Sequence, residues 1–467
     1  MKSTTAFLCL LALPELLATP ARAAGPLRVG AGMQIVTPDL GVYSPVYIAG
    51  YGDNRVATGV HDGLYARCLA IDTARRPLVL CGVDVIGIFW DDVLKIRSKV
   101  PGARVVVAAL HDHEGPDTMG IWGPGPGHTG INESYMEFLV ERVAAAARDA
   151  VANLRPARIR LASVHAPELD TFIRDNRPPD VHDSELIALQ AVDLAGKPIG
   201  TLVNWANHPE TLGSRNRLIT ADYPASLYKR LEELSGGTAV FINGAIGGMQ
   251  SPGDARIADR KTGVVYAEDS FEKANYIGVR LAELVAESLK KASAVPVDDI
   301  LMREQLVRIP MANKLFLAAS QAGVFAGRKQ PDAEGRAQSP VGFIRLSGHG
   351  KAQLEIALIP GEMYPELSVG GVECFPGADF PDAAIEPPVK KLLTAPYRML
   401  FGLADDEVGY IIPKAEWDDQ EPWLQNAKER WYGEVNSLGP ETAPIIADTF
   451  QKLVGQKPVD APAPKAR

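Results

Sequence analysis

The segment His111-Asp112-His113-Glu114-Gly115-Pro116-Asp117 places two imidazoles and three carboxylates within seven residues. Nitrogen and oxygen donors of this kind are ligands for zinc and related divalent ions. The run before it, Arg104-Val-Val-Val-Ala-Ala-Leu110, reads as a buried β-strand. Alternate side chains of a strand share a face. His111 and His113 are therefore expected to point the same way at the strand's C-terminal end, where the chain turns through Gly115-Pro116. Open α/β sheets put their chemistry at such ends. On this pattern alone, a metal site and a pair of surface-loop histidines explain the segment equally well.

Two further strand ends carry the same kind of chemistry. Among the eight histidines, His208 closes the apolar run 199–207 and is followed by Pro209-Glu210. Alone, it reads as a structural histidine. The apolar run 354–359 breaks at Pro360-Gly361-Glu362. Alone, that glutamate reads as a solvated turn residue. Three strand ends bearing ligand groups weigh together toward one site. Other hydrolytic signatures are missing. There is no Gly-x-Ser-x-Gly elbow, no His-Glu-x-x-His helix and no Cys-x-x-Cys pair.

The elements that must position these groups alternate along the chain. Strands are expected at 27–32, 64–72, 77–85, 104–110, 159–165, 186–194, 199–207, 239–243, 300–307, 341–346 and 354–359. Helices are expected at 90–100, 134–154, 224–234, 269–291 and 442–454, the second capped by Asn132. The mixture predicts an α/β fold with mixed β-sheets and flanking helices, in one large domain over 25–455. The Gly/Pro-rich loop 123–128 is suited to a pocket rim or an ordinary surface loop. The Pro-rich tail, 456–467, reads as disordered.

Composition bounds the partners. With 467 residues, 46% of them hydrophobic, the chain can bury a large core. A formal net charge of −9 supplies no basic face for nucleic acid. At the N-terminus, Lys2, a short apolar stretch and Ala21-Arg22-Ala23 read as a signal peptide over 1–23, cut near Ala23. The stretch is too short and too interrupted to be a transmembrane anchor, so a secreted or periplasmic protein is expected. Of four cysteines, Cys9 leaves with the leader. The remaining three, Cys68, Cys81 and Cys374, allow at most one disulfide; Cys68 and Cys81 lie in apolar runs, which favours buried free thiols. Oligomeric state is not legible.

Taken together, these segments resemble the neutral ceramidase family, zinc amidohydrolases that cleave the N-acyl bond of ceramide. Leu110-His-Asp-His-Glu-Gly-Pro116 resembles the family's Thr-His-Thr-His-Ser-Gly-Pro, and Pro360-Gly-Glu-Met-Tyr364 its Pro-Gly-Glu-Phe-Thr. Asn176-Arg177-Pro178 resembles its Asn-Arg-Ser, and Tyr410-Ile-Ile-Pro-Lys-Ala-Glu-Trp417 its tyrosine segment. Gly59-Val60-His61 resembles a Gly-Ile-His near the family's start. The order matches along the chain.

The resemblance implies one zinc per chain, held by His111, His208, Glu362 and Tyr410. It implies that His113 and Arg177 line the reacting carbonyl and that Tyr432 assists, with Trp431 the competing match. The implied substrate is a small molecule or lipid with an apolar arm, and Met363, Trp122 and the 123–128 loop are candidate walls. A metal-dependent lactonase or esterase on the same scaffold is the enzymatic alternative, and a non-catalytic binding protein the other. Three departures stand out. Gln250 is nearest the position of the family's glycine-segment serine, with Ser251 one later. The family's C-terminal immunoglobulin-like domain has no counterpart after Pro440. The stretch between Glu362 and Tyr410 is lengthened, including Gly370-Gly-Val-Glu-Cys-Phe-Pro376.

Overall fold

The computed structural model describes residues 26–248 and 250–455. The expected leader and tail lie outside the described residues.

All eleven expected strands and all five expected helices form, with ends shifted by a few residues. The larger sheet has nine strands. Its order is Thr238–Asn243, Pro198–Trp205, Leu186–Asp193, Arg155–Val164, Arg28–Ile35, Tyr65–Asp72, Leu78–Val83 and Arg104–Ala109, with Ala294–Val295 added beside Arg155–Val164. The pairs at its two ends are parallel and those between are antiparallel. A four-stranded sheet follows, in the order Asp299–Pro310, Arg336–Gly348, Lys351–Leu358, Tyr397–Phe401.

Strand alternation sorts the side chains into layers. Leu69, Ile71, Leu80, Val106 and Ile242 of the large sheet face Ile344, Leu346, Ile356 and Phe401 of the small one. The opposite face of the large sheet is covered by the helix Glu133–Ala152 at one end and by Tyr223–Ser235 with Phe271–Lys291 at the other. The helix Thr442–Gly455 covers the outer face of the small sheet. Four layers result: helices, sheet, sheet, helix. Strands covered on both faces read as unbroken apolar runs, which is why periodicity located them without showing which way they faced. Asn132 caps its helix as expected, accepting from the Tyr135 N–H at 3.0 Å.

Several elements escaped the sequence reading. Tyr397–Phe401 is a short strand that pairs in parallel with Lys351–Leu358. Glu362–Met363 and Tyr410–Ile411 form a parallel two-residue pair, too short for any period to reveal. The helix Lys314–Gln321 lies in a stretch for which no element was expected.

The expectation for Cys68 and Cys81 is corrected. They form a disulfide. Both are fully buried, as their apolar runs imply, but they sit directly opposite one another on antiparallel strands with Cα atoms 4.1 Å apart. That is the close, non-hydrogen-bonded spacing at which a cross-strand pair can be bridged. Cys374 is free and exposed.

The bridge closes a loop of 13 residues, so loop-closure entropy sets its contribution at about 2–4 kcal/mol. The Cys68→Ala, Cys81→Ala double variant is expected to unfold at correspondingly lower urea. An unchanged midpoint under non-reducing conditions would show that the bond contributes nothing to stability.

Candidate metal centre

Four chain segments end at one point. The strand Arg104–Ala109 delivers His111 and His113, Pro198–Trp205 delivers His208, and Lys351–Leu358 leads through Ile359-Pro-Gly361 to Glu362. Glu362 then pairs in register with Tyr410, so those two side chains are immediate cross-strand neighbours. The imidazole centroids form a triangle of 4.9, 5.0 and 5.4 Å. One ring nitrogen from each histidine lies within 4.8 Å of the others. All three rings are buried, as is Glu362.

The reason for the His111–His113 convergence differs from expectation. The strand stops at Ala109, and His111 has a left-handed backbone with φ 63°. A turn, not the pleat of a strand, brings the two rings together. The turn is braced from several sides. Asp112 accepts from the Glu114 N–H at 3.0 Å. The buried Arg55 donates to the carbonyls of Ala49 and His113 and pairs with Glu114 at 2.9 Å. The His113 N–H donates to the Pro209 carbonyl, tying this turn to the residue after His208. Gly50 makes room for the imidazole, since a Cβ there would lie 2.4 Å from His113 Cγ.

Asn243 joins the two histidine-bearing ends. Its Nδ2 donates to the Leu110 and Asn207 carbonyls, each at 2.9 Å, and its Oδ1 accepts from the Asn207 N–H at 3.1 Å. Those residues immediately precede His111 and His208. Asn204 extends the connection to the small sheet, donating to the Leu400 carbonyl at 2.9 Å. Both asparagines are buried polar residues in apolar strands, which is the one sign by which the sequence could have marked them.

Hydrogen bonding orients the rings. His111 Nδ1 lies 2.8 Å from the Ile86 carbonyl, and His208 Nδ1 lies 2.6 Å from the Gln250 carbonyl. A carbonyl only accepts, so each Nδ1 carries the proton. Each Nε2 is then turned toward Glu362 Oε2, at 3.4 Å for His111 and 3.0 Å for His208. Such backbone tethers are the usual outer partners of metal-binding histidines.

The charges favour a cation among these donors. Burial pulls the His111 imidazole down to about 4 against the pull of Glu362, so its Nε2 presents a lone pair to a carboxylate oxygen. Burial opposes charge on His208 as well, but Glu210 and Glu362 outweigh it and raise its pKa. Burial likewise opposes charge on Glu362. The two histidines and the Tyr410 hydroxyl outweigh that and hold the carboxyl below its ordinary range. Burial, with Glu362 alongside, pushes the Tyr410 phenol well up. Two tethered imidazoles, a carboxylate and a phenol fit a divalent ion, which reverses the local logic by favouring deprotonated ligands.

His113 stands apart from this tethering. Its Nδ1 lies 3.2 Å from Glu210 Oε2 without hydrogen-bond alignment, and neither ring nitrogen has a partner among the described residues. Burial and the two neighbouring imidazoles push its pKa well down, leaving it neutral. Glu210, which the sequence reading did not single out, also accepts from the Tyr51 hydroxyl and is hydrogen-bonded by Ser251.

A cavity opens beside the donors. His111, His113, Glu362, Tyr410 and Tyr432 line it together with Ile86, Phe89, Met119, Trp122, Phe316 and Phe325. Trp122 is a wall as expected. Met363 is not, being fully buried in the core beneath the small sheet. The 123–128 loop does not reach the cavity either. Instead Phe316 and Phe325 arrive from the unanticipated helix and its following turn. Tyr432 stands at the mouth, its ring 6.0 Å from that of Tyr410. Trp431 turns away and donates to Asp418 at 2.8 Å.

Arg177, expected at the reacting carbonyl, has its guanidinium engaged with neighbouring groups. Its guanidinium is not on the cavity wall. It pairs with Glu434 at 2.7 Å, donates to the Glu416 carbonyl at 2.8 Å and stacks on Trp431. Buried carboxylates must be neutralised, and Arg177 is committed to that task. It braces the turn that presents Tyr432.

No family model matches the sequence. The fold is similar to two solved structures. One is neutral ceramidase from Pseudomonas aeruginosa, with a TM-score of 0.69 and 19% identity over 92% of this chain and 74% of that one. The other is a ceramidase complexed with C2, with a TM-score of 0.70 and 18% identity over 92% of this chain and 75% of that one. The mixed α/β architecture is therefore the fold of these ceramidase structures.

Asn243→Ala strands the Leu110 carbonyl and the Asn207 N–H in the interior, while the Asn207 carbonyl keeps the Tyr223 hydroxyl. A loss of about 1–3 kcal/mol of stability is expected, with metal affinity reduced about 10–100-fold, read by denaturation and by competition with a zinc chelator. Ser251 is buried, accepts from the Gly253 N–H at 2.9 Å and does not line the cavity. If the chain is a hydrolase, Ser251→Ala is expected to lower its kcat by no more than about tenfold, the scale of one hydrogen bond. A loss as large as that from removing His111, with fold and zinc intact, would assign Ser251 a nucleophilic role.

Proposed function

We propose that the protein is an exported zinc-dependent hydrolase that cleaves the amide bond of N-acyl compounds in the manner of a ceramidase. The observation that carries this reading is the convergence of His111, His208 and Glu362, with Tyr410 in register beside Glu362, at the wall of a largely apolar cavity. The likeness to two ceramidase structures supports the amide as the bond cleaved and a lipid-like compound as the substrate.

His111, His208, Glu362 and Tyr410 are the residues to hold one zinc ion. Bound there, zinc supplies Lewis acidity and a water whose pKa falls toward ~7. The chain's own groups supply the rest. His113, neutral and with both nitrogens free of partners among the described residues, offers a hydrogen bond to the reacting carbonyl or to the departing nitrogen. Tyr432 offers a hydroxyl at the mouth. Arg177 acts at one remove, by fixing the Tyr432–Val435 turn through Glu434. Phe89, Phe316, Phe325, Met119 and Trp122 shed water onto bulk solvent when an apolar arm fills the cavity.

Export is supported by the Cys68–Cys81 disulfide, because such bonds persist in oxidising compartments. Among the described residues no helix is long and apolar enough to cross a membrane.

Purified protein is expected to carry about one zinc per chain, and the His111→Ala, His208→Ala double variant to carry none. Stoichiometric zinc in that variant would place the ion elsewhere. For the reaction, kcat/KM is to be compared across short N-acyl amides, ceramides and lactones on one preparation. Amides are expected to turn over. Hydrolysis of lactones or simple esters with every amide inert would show that this scaffold serves another hydrolysis.

A further inference from the structure

His113 is held differently from the two histidines beside it. His111 and His208 are each tied through Nδ1 to a backbone carbonyl. At His113 that place belongs to a side-chain carboxylate, with Glu210 Oε2 3.2 Å from Nδ1, off the hydrogen-bond axis. A carbonyl only orients a ring. A carboxylate orients it and also steadies a positive charge on it.

The surroundings fix this edge of the ring. Gly50 packs against it, since a Cβ there would lie 2.4 Å from His113 Nδ1. Tyr51 meets the ring edge-to-face at 5.3 Å. Its hydroxyl donates to the Glu210 carbonyl at 3.0 Å and reaches Glu210 Oε2 at 3.4 Å. Arg55 stacks over Tyr51, and Ser251 hydrogen-bonds the Glu210 carboxylate. The Glu210 N–H donates to the His208 carbonyl at 3.1 Å, and the His113 N–H to the Pro209 carbonyl at 3.0 Å. Glu210 and His113 are thus held by the same two turns. A flipped ring would set a carbon against the carboxylate. Nε2, on the far side of the ring from Gly50 and Glu210, is buried with no partner among the described residues. The ring lines the cavity, and one of its nitrogens lies within 4.8 Å of donor nitrogens of His111 and His208.

We propose that Glu210 is a positioning residue that fixes the His113 ring with Nδ1–H toward itself and Nε2 toward the reacting groups. Held so, a neutral His113 accepts at Nε2 and donates there only after a proton has arrived. Of its two duties this leaves the departing nitrogen. Nε2 takes a proton from the attacking water as the water oxygen bonds to the amide carbon. It passes that proton to the amide nitrogen as the C–N bond breaks, giving an acid and an amine. Glu210 keeps its place beside the ring and steadies the imidazolium between the two transfers. This rests on the amidase reading above and adds to it the residue that orients the proton carrier.

The test uses zinc-loaded full-length enzyme with isotope-labelled histidine, read by nitrogen NMR. The His113 ring signals are identified by their loss in His113→Asn. Wild type is expected to show His113 protonated at Nδ1 and bare at Nε2. Glu210→Leu is expected to lose that signature and keep its zinc. Its kcat on a hydrolysed N-acyl amide is expected to fall about 10–100-fold, the value of a hydrogen bond to a charged group, with KM changed by less than about threefold. Glu210→Gln, which keeps an acceptor oxygen, is expected to recover part of both the signature and kcat. An Nε2–H tautomer in wild type overturns the proposal, as does an unchanged kcat in Glu210→Leu. Loss of zinc from both variants overturns it too, because Glu210 would then serve the metal. Where Glu210→Leu alone fails to fold or to hold zinc, the wild-type tautomer and Glu210→Gln decide. If wild type hydrolyses no amide, the amidase reading fails, while the ring signals still decide for or against the orientation.

Discussion

The Asn243 carboxamide is the constraint on which the site depends. It holds the carbonyl before His111 and both backbone groups before His208, so two strands that are far apart in the sheet order end in a shared position. Each histidine-bearing turn has hydrogen bonds of its own, and Asn243 adds the link that fixes one turn against the other. With Asn243 between them and Asn204 reaching the small sheet, the ends of both sheets become one rigid seat. Buried polar groups of this kind hold a single arrangement because each alternative leaves a donor or acceptor unpaired.

Electrostatics follows from that seat. Each imidazole is tied through Nδ1, so each Nε2 is committed to the side where Glu362 stands. Around this point the chain buries further acids, among them Glu114, Glu210, Asp222 and Glu407. Arg55 compensates Glu114, whereas Glu362 has only the imidazoles of His208 and His111 beside it among the described residues. A divalent cation satisfies the lone pairs and the charge together, which protons can do only by leaving one imidazole facing a carboxylate oxygen. Arg177 is held by a separate buried acid, Glu434, and by the Glu416 carbonyl.

The cavity is assembled from distant pieces. Ile86 and Phe89 precede and begin the helix Trp90–Ser98, Met119 and Trp122 follow the histidine turn, and Phe316 and Phe325 come from the helix Lys314–Gln321 and the turn after it. Arg328, paired with Asp92 and Glu133, and Lys329, paired with Asp406, fasten that last segment over the site. Apolar walls and anchoring ion pairs thus belong to one stretch of chain. Along residues 313–330, where no element was expected, the buried positions Asn313, Val324, Phe325, Arg328 and Lys329 alternate with exposed ones.

What the sequence by itself determined is the part governed by local pattern. Apolar runs announced the strands and the strand ends that carry His111, His208 and Glu362, because burial on both faces demands such runs. Helical spacing with the Asn132 cap announced the helix Glu133–Ala152. Tyr410 and Tyr432 were accessible only through resemblance, since a two-residue strand and a four-residue helix have no period. Tertiary structure alone decided the rest. Cys68 and Cys81 are bridged because register sets them opposite one another, although each looks like an ordinary buried thiol. His111 and His113 converge through a left-handed turn instead of a pleat. Arg177 faces Glu434, Met363 faces the core, and Asn243 joins strand ends more than thirty residues distant in the chain. Hydrophobic pattern records whether a side chain is buried. It does not record against what, because partners and charges at close range are fixed by the register and crossing of segments that meet only in the folded chain.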